Sequence, residues 1–247
     1  MPFRVITFDL DDTLWDLRPA LITAEHSTRA WLERHAPDMF ARFDSNALHA
    51  IRNELLASDP ALAHQLSRMR RDTYYVALQR TGYRDDEAAR IADAAFAVFL
   101  DGRHRVTPFD GVAELLAELG QQYVLGALSN GNANLQRIPI GVHFAFHFSA
   151  EQVGAAKPHR AMFDAAVGHS NVDRSEMLHV GDNFEHDVQG AWNAGISAVW
   201  VNVHGQQHDA TAHAAATEQA ARGEQAAQPA AEIASVLSLR DVLKSLA

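Results

Sequence analysis

Hydrophobic positions in this chain follow two rhythms. Val5-Ile6-Thr7-Phe8 is apolar without a turn residue and stops at Asp9-Leu10-Asp11-Asp12. That is the pattern of a strand buried on both faces of a parallel sheet, with acids at its carboxyl end. From Leu17 to about Asp101 no strand pattern occurs. Apolar residues recur there at helical spacing, as in Leu48, Ile51, Leu55 and Leu56, and again in Ile91, Ala95, Val98 and Phe99. The spacing predicts helices over about 19–35, 46–58, 61–81 and 86–100, with breaks at Pro37, Pro60 and Gly82. From Val106 strands and helices alternate, with strands predicted at 123–128, 143–149, 177–180 and 196–201 and helices at 112–119, 159–168 and 185–194. Such alternation implies βαβ units and a parallel sheet. The segment 204–228 is biased toward Ala, Gln and His and lacks periodicity, so it reads as an irregular surface excursion. Its His204, His208 and His213 lack a regular ligand spacing. A closing helix is predicted over 233–246, with Leu237, Leu239 and Leu243 at its packing positions.

This organisation is α/β: a parallel-sheet core from residues 1–16 and 104–247, interrupted by a helical unit at 17–103. Composition narrows the chemistry. At 247 residues and 47% hydrophobic, the chain can bury one large core or two modest ones. A formal charge of −10 argues against nucleic acid as a partner, which calls for a basic surface. No cysteine is present, which excludes disulfides, thiolate metal sites and cysteine nucleophiles. No apolar run reaches membrane-spanning length and no signal segment precedes the first strand, so no membrane partner is expected and the reading is cytoplasmic. All but two of the 21 basic residues are Arg, so a step that needs lysine has only Lys157 and Lys244 to draw on.

Four polar clusters fall at or just past predicted strand ends: Asp9-Leu10-Asp11-Asp12-Thr13, Leu128-Ser129-Asn130, Lys157-Pro158 and Gly181-Asp182-Asn183-Phe184-Glu185-His186-Asp187. In an open α/β sheet this rim is where ligands bind. The clusters supply a carboxylate nucleophile, a second carboxylate two residues on, a hydroxyl, one fixed cation and further acids able to hold a divalent metal. That inventory suits phosphoryl transfer, which needs charge neutralisation and in-line positioning more than covalent chemistry from the protein.

The ordered set D-x-D-x-T, Ser, Lys and G-D-x-x-x-x-D resembles the haloacid dehalogenase (HAD) superfamily over about residues 3–203. The resemblance implies a Rossmann-like core, a C1-type helical cap at 17–103 and a Mg2+-dependent phosphatase acting on a small phosphorylated metabolite, as monomer or homodimer. Phe8 to Asp16, Arg18-Pro19, Leu128 to Asn132 and His179 to Asp182 are most similar to bacterial flavin-pathway phosphatases that act on 5-amino-6-(5-phosphoribitylamino)uracil.

Carried over residue by residue, the resemblance implies that Asp9 attacks phosphorus and forms an aspartyl phosphate. Asp11 is the acid and base, protonating the leaving alkoxide and later deprotonating water. Ser129 and the Asn130 amide hold a phosphoryl oxygen, and Lys157 offsets charge on Asp9 and the phosphate. Asp9, the Asp11 carbonyl and Asp182 bind Mg2+. Thr13 orders its own loop, Asp187 orients Lys157 or a metal-bound water, and Asp12 is noncatalytic. Trp15 and Arg18, just past the first motif, are candidate substrate contacts, whereas His179 and His186 read as packing or surface residues. Three alternatives stay open: a sugar-phosphate mutase, a haloacid dehalogenase and a non-enzymatic phosphate-accepting regulatory module. A dehalogenase needs no acid at Asp11, because halide leaves unprotonated. A receiver-like module would lack both that acid and an inserted unit of this size.

Overall fold

A computed structural model of the chain describes residues 3–206 and 228–246. His208, His213 and most of the 204–228 segment therefore lie outside the described residues. The chain divides into two compact units. One comprises Met1–Trp15, Pro108–Asn130 and Pro139–Ala247, the other Asp16–Thr107 and Gly131–Ile138.

The first unit is built on a parallel sheet. Its strands are β1 (Val5–Phe8), β2 (Val124–Ser129), β3 (Phe146–Ser149), β4 (Met177–Gly181), β5 (Ser197–Val201) and β6 (Ala231–Ile233). Their order is β3-β2-β1-β4-β5-β6, and every pairing is parallel. The fold is therefore α/β, and in this order the strand sequence reverses beside β1, where doubly wound sheets open a crevice. Buried Val5, Leu128, Phe163, Met177, Val188 and Trp200 share one core cluster. β6 is a departure from the sequence reading, which ended the sheet at 201 and placed Ile233 in the closing helix. That helix spans only Leu239–Leu246. Three residues, Ala-Glu-Ile, are too few to show a period of two, so β6 exists by pairing with β5.

The second unit is helical. Its α1 (Arg18–His35), α2 (Pro37–Arg42), α3 (Ser45–Ser58), α4 (Leu66–Thr81) and α5 (Asp85–Arg103) bury Leu32, Met39, Ile51, Tyr74, Leu78 and Ile91 in a core of their own. Pro37 starts a helix rather than only interrupting one, because proline lacks no useful N–H in the first helical turn. Gly82 closes α4 in the left-handed conformation at φ 103°. α1 and α5 meet closely at Gly102, where an added Cβ would lie 2.5 Å from Ala24 Cα. The segment Gly131–Ile138 joins this unit through Asn134 N–H, which donates to His104 Nε2 at 2.9 Å, and through an ion pair between Arg137 and Asp101. Among the described residues no helix is long and apolar enough to cross a membrane.

Candidate active site

The site begins with register. Phe8 is level with Ala127 on β2 and Val180 on β4, and Asp9 N–H donates to Val180 O at 2.8 Å. Asp9, Ser129 and Asp182 consequently lie together at the carboxyl ends of three neighbouring strands. The chain then turns tightly, with Leu14 N–H donating to Leu10 O and Asp12 N–H to Trp15 O. Asp12 has φ 62°, a left-handed conformation that Asp tolerates better than most side chains. This accounts for the third acid of the motif as a turn residue, and its side chain is exposed.

The turn aims two side chains. Trp15 Nε1 donates to Asp11 Oδ1 at 2.8 Å, and Thr13 Oγ1 donates to Asp182 Oδ1 at 2.9 Å. Thr13 thus bonds to a residue 169 positions away rather than only within its own loop. Trp15, read from the sequence as a candidate substrate contact, is fully buried, and its one polar atom is committed to Asp11. Arg18 belongs to the helical unit, where it opens α1 exposed, with its backbone N–H on Asp16 Oδ1.

Lys157 is 2% exposed, and its three ammonium protons meet three acceptors: Asp9 Oδ1 at 2.7 Å, Leu128 O at 2.6 Å and Asp187 Oδ1 at 2.6 Å. Its backbone is held as firmly, since Asn130 Oδ1 accepts from Lys157 N at 2.7 Å and Asn130 Nδ2 donates to Lys157 O at 2.9 Å. The side chain of Asn130 therefore clamps the lysine, a role the sequence reading, concerned with its backbone amide, did not contain. Asp187 comes from a π-helical turn, Phe184–Gln189, and lies directly over Gly181, where a Cβ would stand 2.2 Å from its Cγ. Glycine before Asp182 is thus the condition for Asp187 to reach Lys157.

Both Asp187 oxygens are engaged. Oδ1 takes Lys157 and lies 3.1 Å from His179 Nε2, while Oδ2 accepts from Asn183 N at 3.0 Å. His179 is wholly buried, and its Nδ1 lies 2.9 Å from Thr7 Oγ1. The sequence reading gave Thr7 no role and took His179 as a packing or surface residue. Their signal was two polar residues in otherwise apolar strands, made visible once β1 and β4 pair Thr7 with His179.

Charge is unevenly shared. Burial alone would depress the Lys157 ammonium, but the Asp187 and Asp9 carboxylates hold it above its ordinary value. Burial pushes Asp187 up too, yet Lys157 and His179 draw its carboxyl well below the usual range. Asp9 is pushed up by burial, with Asp187 and Asp182 adding to the effect and Lys157 opposing it. Asp182 is pushed up to about 6, by burial first and then by Asp187. One ammonium thus faces more carboxylate than it neutralises. Asp9, Asp182 and Asp187 each offer an oxygen within 4.8 Å of the others, so the donor set suits a hard divalent cation. With Asp187 occupied by Lys157, His179 and Asn183, the oxygens best placed for that cation are those of Asp9 and Asp182.

A family model described as a haloacid dehalogenase-like hydrolase matches residues 3–195. The 5-amino-6-(5-phospho-D-ribitylamino)uracil phosphatase YigB of Escherichia coli (strain K12) is 32% identical over 196 residues, covering 79% of this chain and 82% of that protein. A pyrimidine 5'-nucleotidase of the same organism, YjjG, is 36% identical over 104 residues, 40% of this chain and 46% of its own. The crystal structure of a 2-haloacid dehalogenase from Pseudomonas syringae pv. Tomato DC3000 superposes with a TM-score of 0.90 at 39% identity, covering 99% of this chain and 100% of that one. With the sheet order, the paired strand ends and the matched span all in agreement, this chain belongs to the haloacid dehalogenase-like hydrolase family.

Proposed function

We propose that the chain is a Mg2+-dependent phosphomonoester hydrolase that works through an aspartyl phosphate on Asp9. The observation that carries this reading is Asp11, two residues past Asp9 and held by the Trp15 indole at 2.8 Å. A carboxyl group fixed there serves a reaction whose leaving group must be protonated. In the first step an Asp9 oxygen attacks phosphorus, the bond to the substrate's ester oxygen breaks, and Asp11 gives its proton to the departing alkoxide. In the second, Asp11 takes a proton from water, whose oxygen attacks phosphorus, so that inorganic phosphate leaves and Asp9 is restored. Because Asp11 Oδ1 accepts from Trp15, the travelling proton is assigned to Oδ2.

Lys157 holds Asp9 in place and balances its charge, and Asp187 orients Lys157. Ser129, at the end of β2 beside β1, receives a phosphoryl oxygen together with the Asn130 amide. Mg2+ held by Asp9, Asp182 and the Asp11 carbonyl supplies the positive charge that this carboxylate-rich site lacks. Thr13 keeps Asp182 turned toward that position. The helical unit acts as the C1-type cap and selects the substrate. The relative named for 5-amino-6-(5-phospho-D-ribitylamino)uracil makes that compound the first to test.

A second reading has an observation in its favour, the dehalogenase structure at 39% identity. The two readings separate in one assay. Phosphate and chloride release are measured side by side, with Mg2+ and with EDTA, on the phosphoribitylaminouracil, flavin mononucleotide, phosphoglycolate, nucleotides, sugar phosphates and 2-chloropropionate. Phosphate release that EDTA abolishes is the expected result. Chloride release without phosphate release, or phosphate release indifferent to complete metal removal, contradicts the proposal.

A further inference from the structure

Beneath Lys157 runs a buried polar chain with no exposed member: Thr7 Oγ1 lies 2.9 Å from His179 Nδ1, His179 Nε2 lies 3.1 Å from Asp187 Oδ1, and Asp187 Oδ1 accepts from Lys157 Nζ at 2.6 Å. Thr7 and His179 are completely inaccessible, and Phe163 packs edge-on against the imidazole with ring centroids 5.1 Å apart. We propose that Thr7 is a positioning residue of this site: its hydroxyl fixes the tautomer of His179, which in turn holds Asp187 and, through it, Lys157.

The protons available to these groups fix the tautomer. An ionised Asp187 carboxylate can only accept, so His179 Nε2 must carry a hydrogen. A neutral imidazole then presents a bare Nδ1, and the Thr7 hydroxyl is the group that donates to it. The competing arrangement turns that hydroxyl to Leu178 O, at a longer 3.4 Å, and sets a threonine lone pair against Nδ1. It would require either Nδ1–H with a bare Nε2 facing a carboxylate, or a buried imidazolium beside Lys157. Burial favours neutral His179 and the Lys157 charge adds to that effect, while the Asp187 hydrogen bond and charge and a backbone contact with Thr7 oppose it without reversing it. Thr7 therefore decides which nitrogen faces Asp187, two groups away from the ammonium that holds Asp9.

The inference deepens the phosphatase reading and rests on it for the role of Lys157, but the tautomer is observable without turnover. The full chain is labelled with 15N-histidine and 15N-lysine, and Thr7→Val and Thr7→Ser are compared with the parent. His179→Gln identifies the His179 signal. Only Lys157 and Lys244 contribute lysine signals, and Lys244 is an exposed internal control. The expected result is a neutral Nε2–H tautomer in the parent. Thr7→Val is expected to lose it, displace the Lys157 signal and lower kcat about tenfold with KM little changed, and Thr7→Ser to restore all three. An Nδ1–H tautomer or an imidazolium in the parent overturns the proposal even if Thr7→Val does not fold. So does a folded Thr7→Val whose His179 and Lys157 signals match the parent's. Should the parent hydrolyse no phosphomonoester, the phosphatase reading fails, while the two spectra still decide whether Thr7 sets the tautomer and the lysine.

Discussion

Trp15 Nε1 and Asp11 Oδ1 are joined by a 2.8 Å hydrogen bond, made within a turn that Asp12 closes at φ 62°. Five residues, Asp11 to Trp15, thus carry both the proposed acid and the group that aims it. Trp15→Phe keeps most of the buried ring and removes only the donor. A hydrogen bond to a charged group contributes about 1.5–3 kcal/mol, so kcat should fall roughly ten- to hundredfold while the protein stays folded. Asp11→Asn, which cannot move the proton, should cost about 10²- to 10⁴-fold. Steady-state kinetics on the best phosphomonoester check both. Full activity in Asp11→Asn would remove Asp11 from the mechanism, and full activity in Trp15→Phe would remove the indole as the group that aims it.

Gly181 is the second point of sensitivity. A methyl group there would overlap the Asp187 carboxylate, with 2.2 Å between the new carbon and Cγ. Either the carboxylate leaves Lys157 or the strand end shifts. Overpacking of this kind costs about 1–3 kcal/mol, and Gly181→Ala should also lose most activity because Lys157 loses its second anchor. A urea midpoint measured beside kcat tests this; a variant with the parent's midpoint and activity would show that Asp187 does not need the space.

The helical unit has a pH dependence of its own. His104 Nδ1 faces Leu100 O, and its Nε2 accepts from Asn134 N–H, so the folded state needs a neutral ring. Burial lowers its pKa from the ordinary 6.5, Arg137 and Arg103 reinforce the shift, and the Leu100 carbonyl and Asp101 oppose it. A depressed folded pKa means that the unfolded chain takes the proton first as the pH falls. The stability His104 contributes is therefore complete above about pH 6.5 and is lost as the pH drops below it through the folded pKa. Thermal midpoints from pH 7.5 to 5 should fall less steeply for His104→Gln than for the parent. Parallel profiles would contradict this assignment.

Much of the architecture was legible in the chain. The Val5–Phe8 run, the switch between helical spacing and strand–helix alternation, and the order of the polar clusters each rest on local pattern, and local pattern is what a sequence displays. What stayed hidden depends on partners distant in the chain. β6 is too short for a period and forms by pairing. Gly131–Ile138 looks like a loop after β2, and its membership in the helical unit follows from Asn134 and Arg137 bonding to residues about thirty positions away. Thr7 and His179 were each an isolated polar residue until the register of β1 and β4 set them level. Proximity in sequence to Asp11 suggests that Trp15 shares its exposure to substrate. In the fold, the same proximity lets the indole turn inward and donate to the carboxylate.

The central claim is that Asp9, held by Lys157 at 2.7 Å, receives the phosphoryl group. Rapid acid quench of the enzyme during turnover of a 32P-labelled phosphomonoester, followed by peptide mapping, tests it most directly. The account predicts acyl phosphate on the peptide carrying Asp9, formed before free phosphate and missing from Asp9→Asn. Phosphate release at the parent's rate from Asp9→Asn, or label on any other residue, would contradict it.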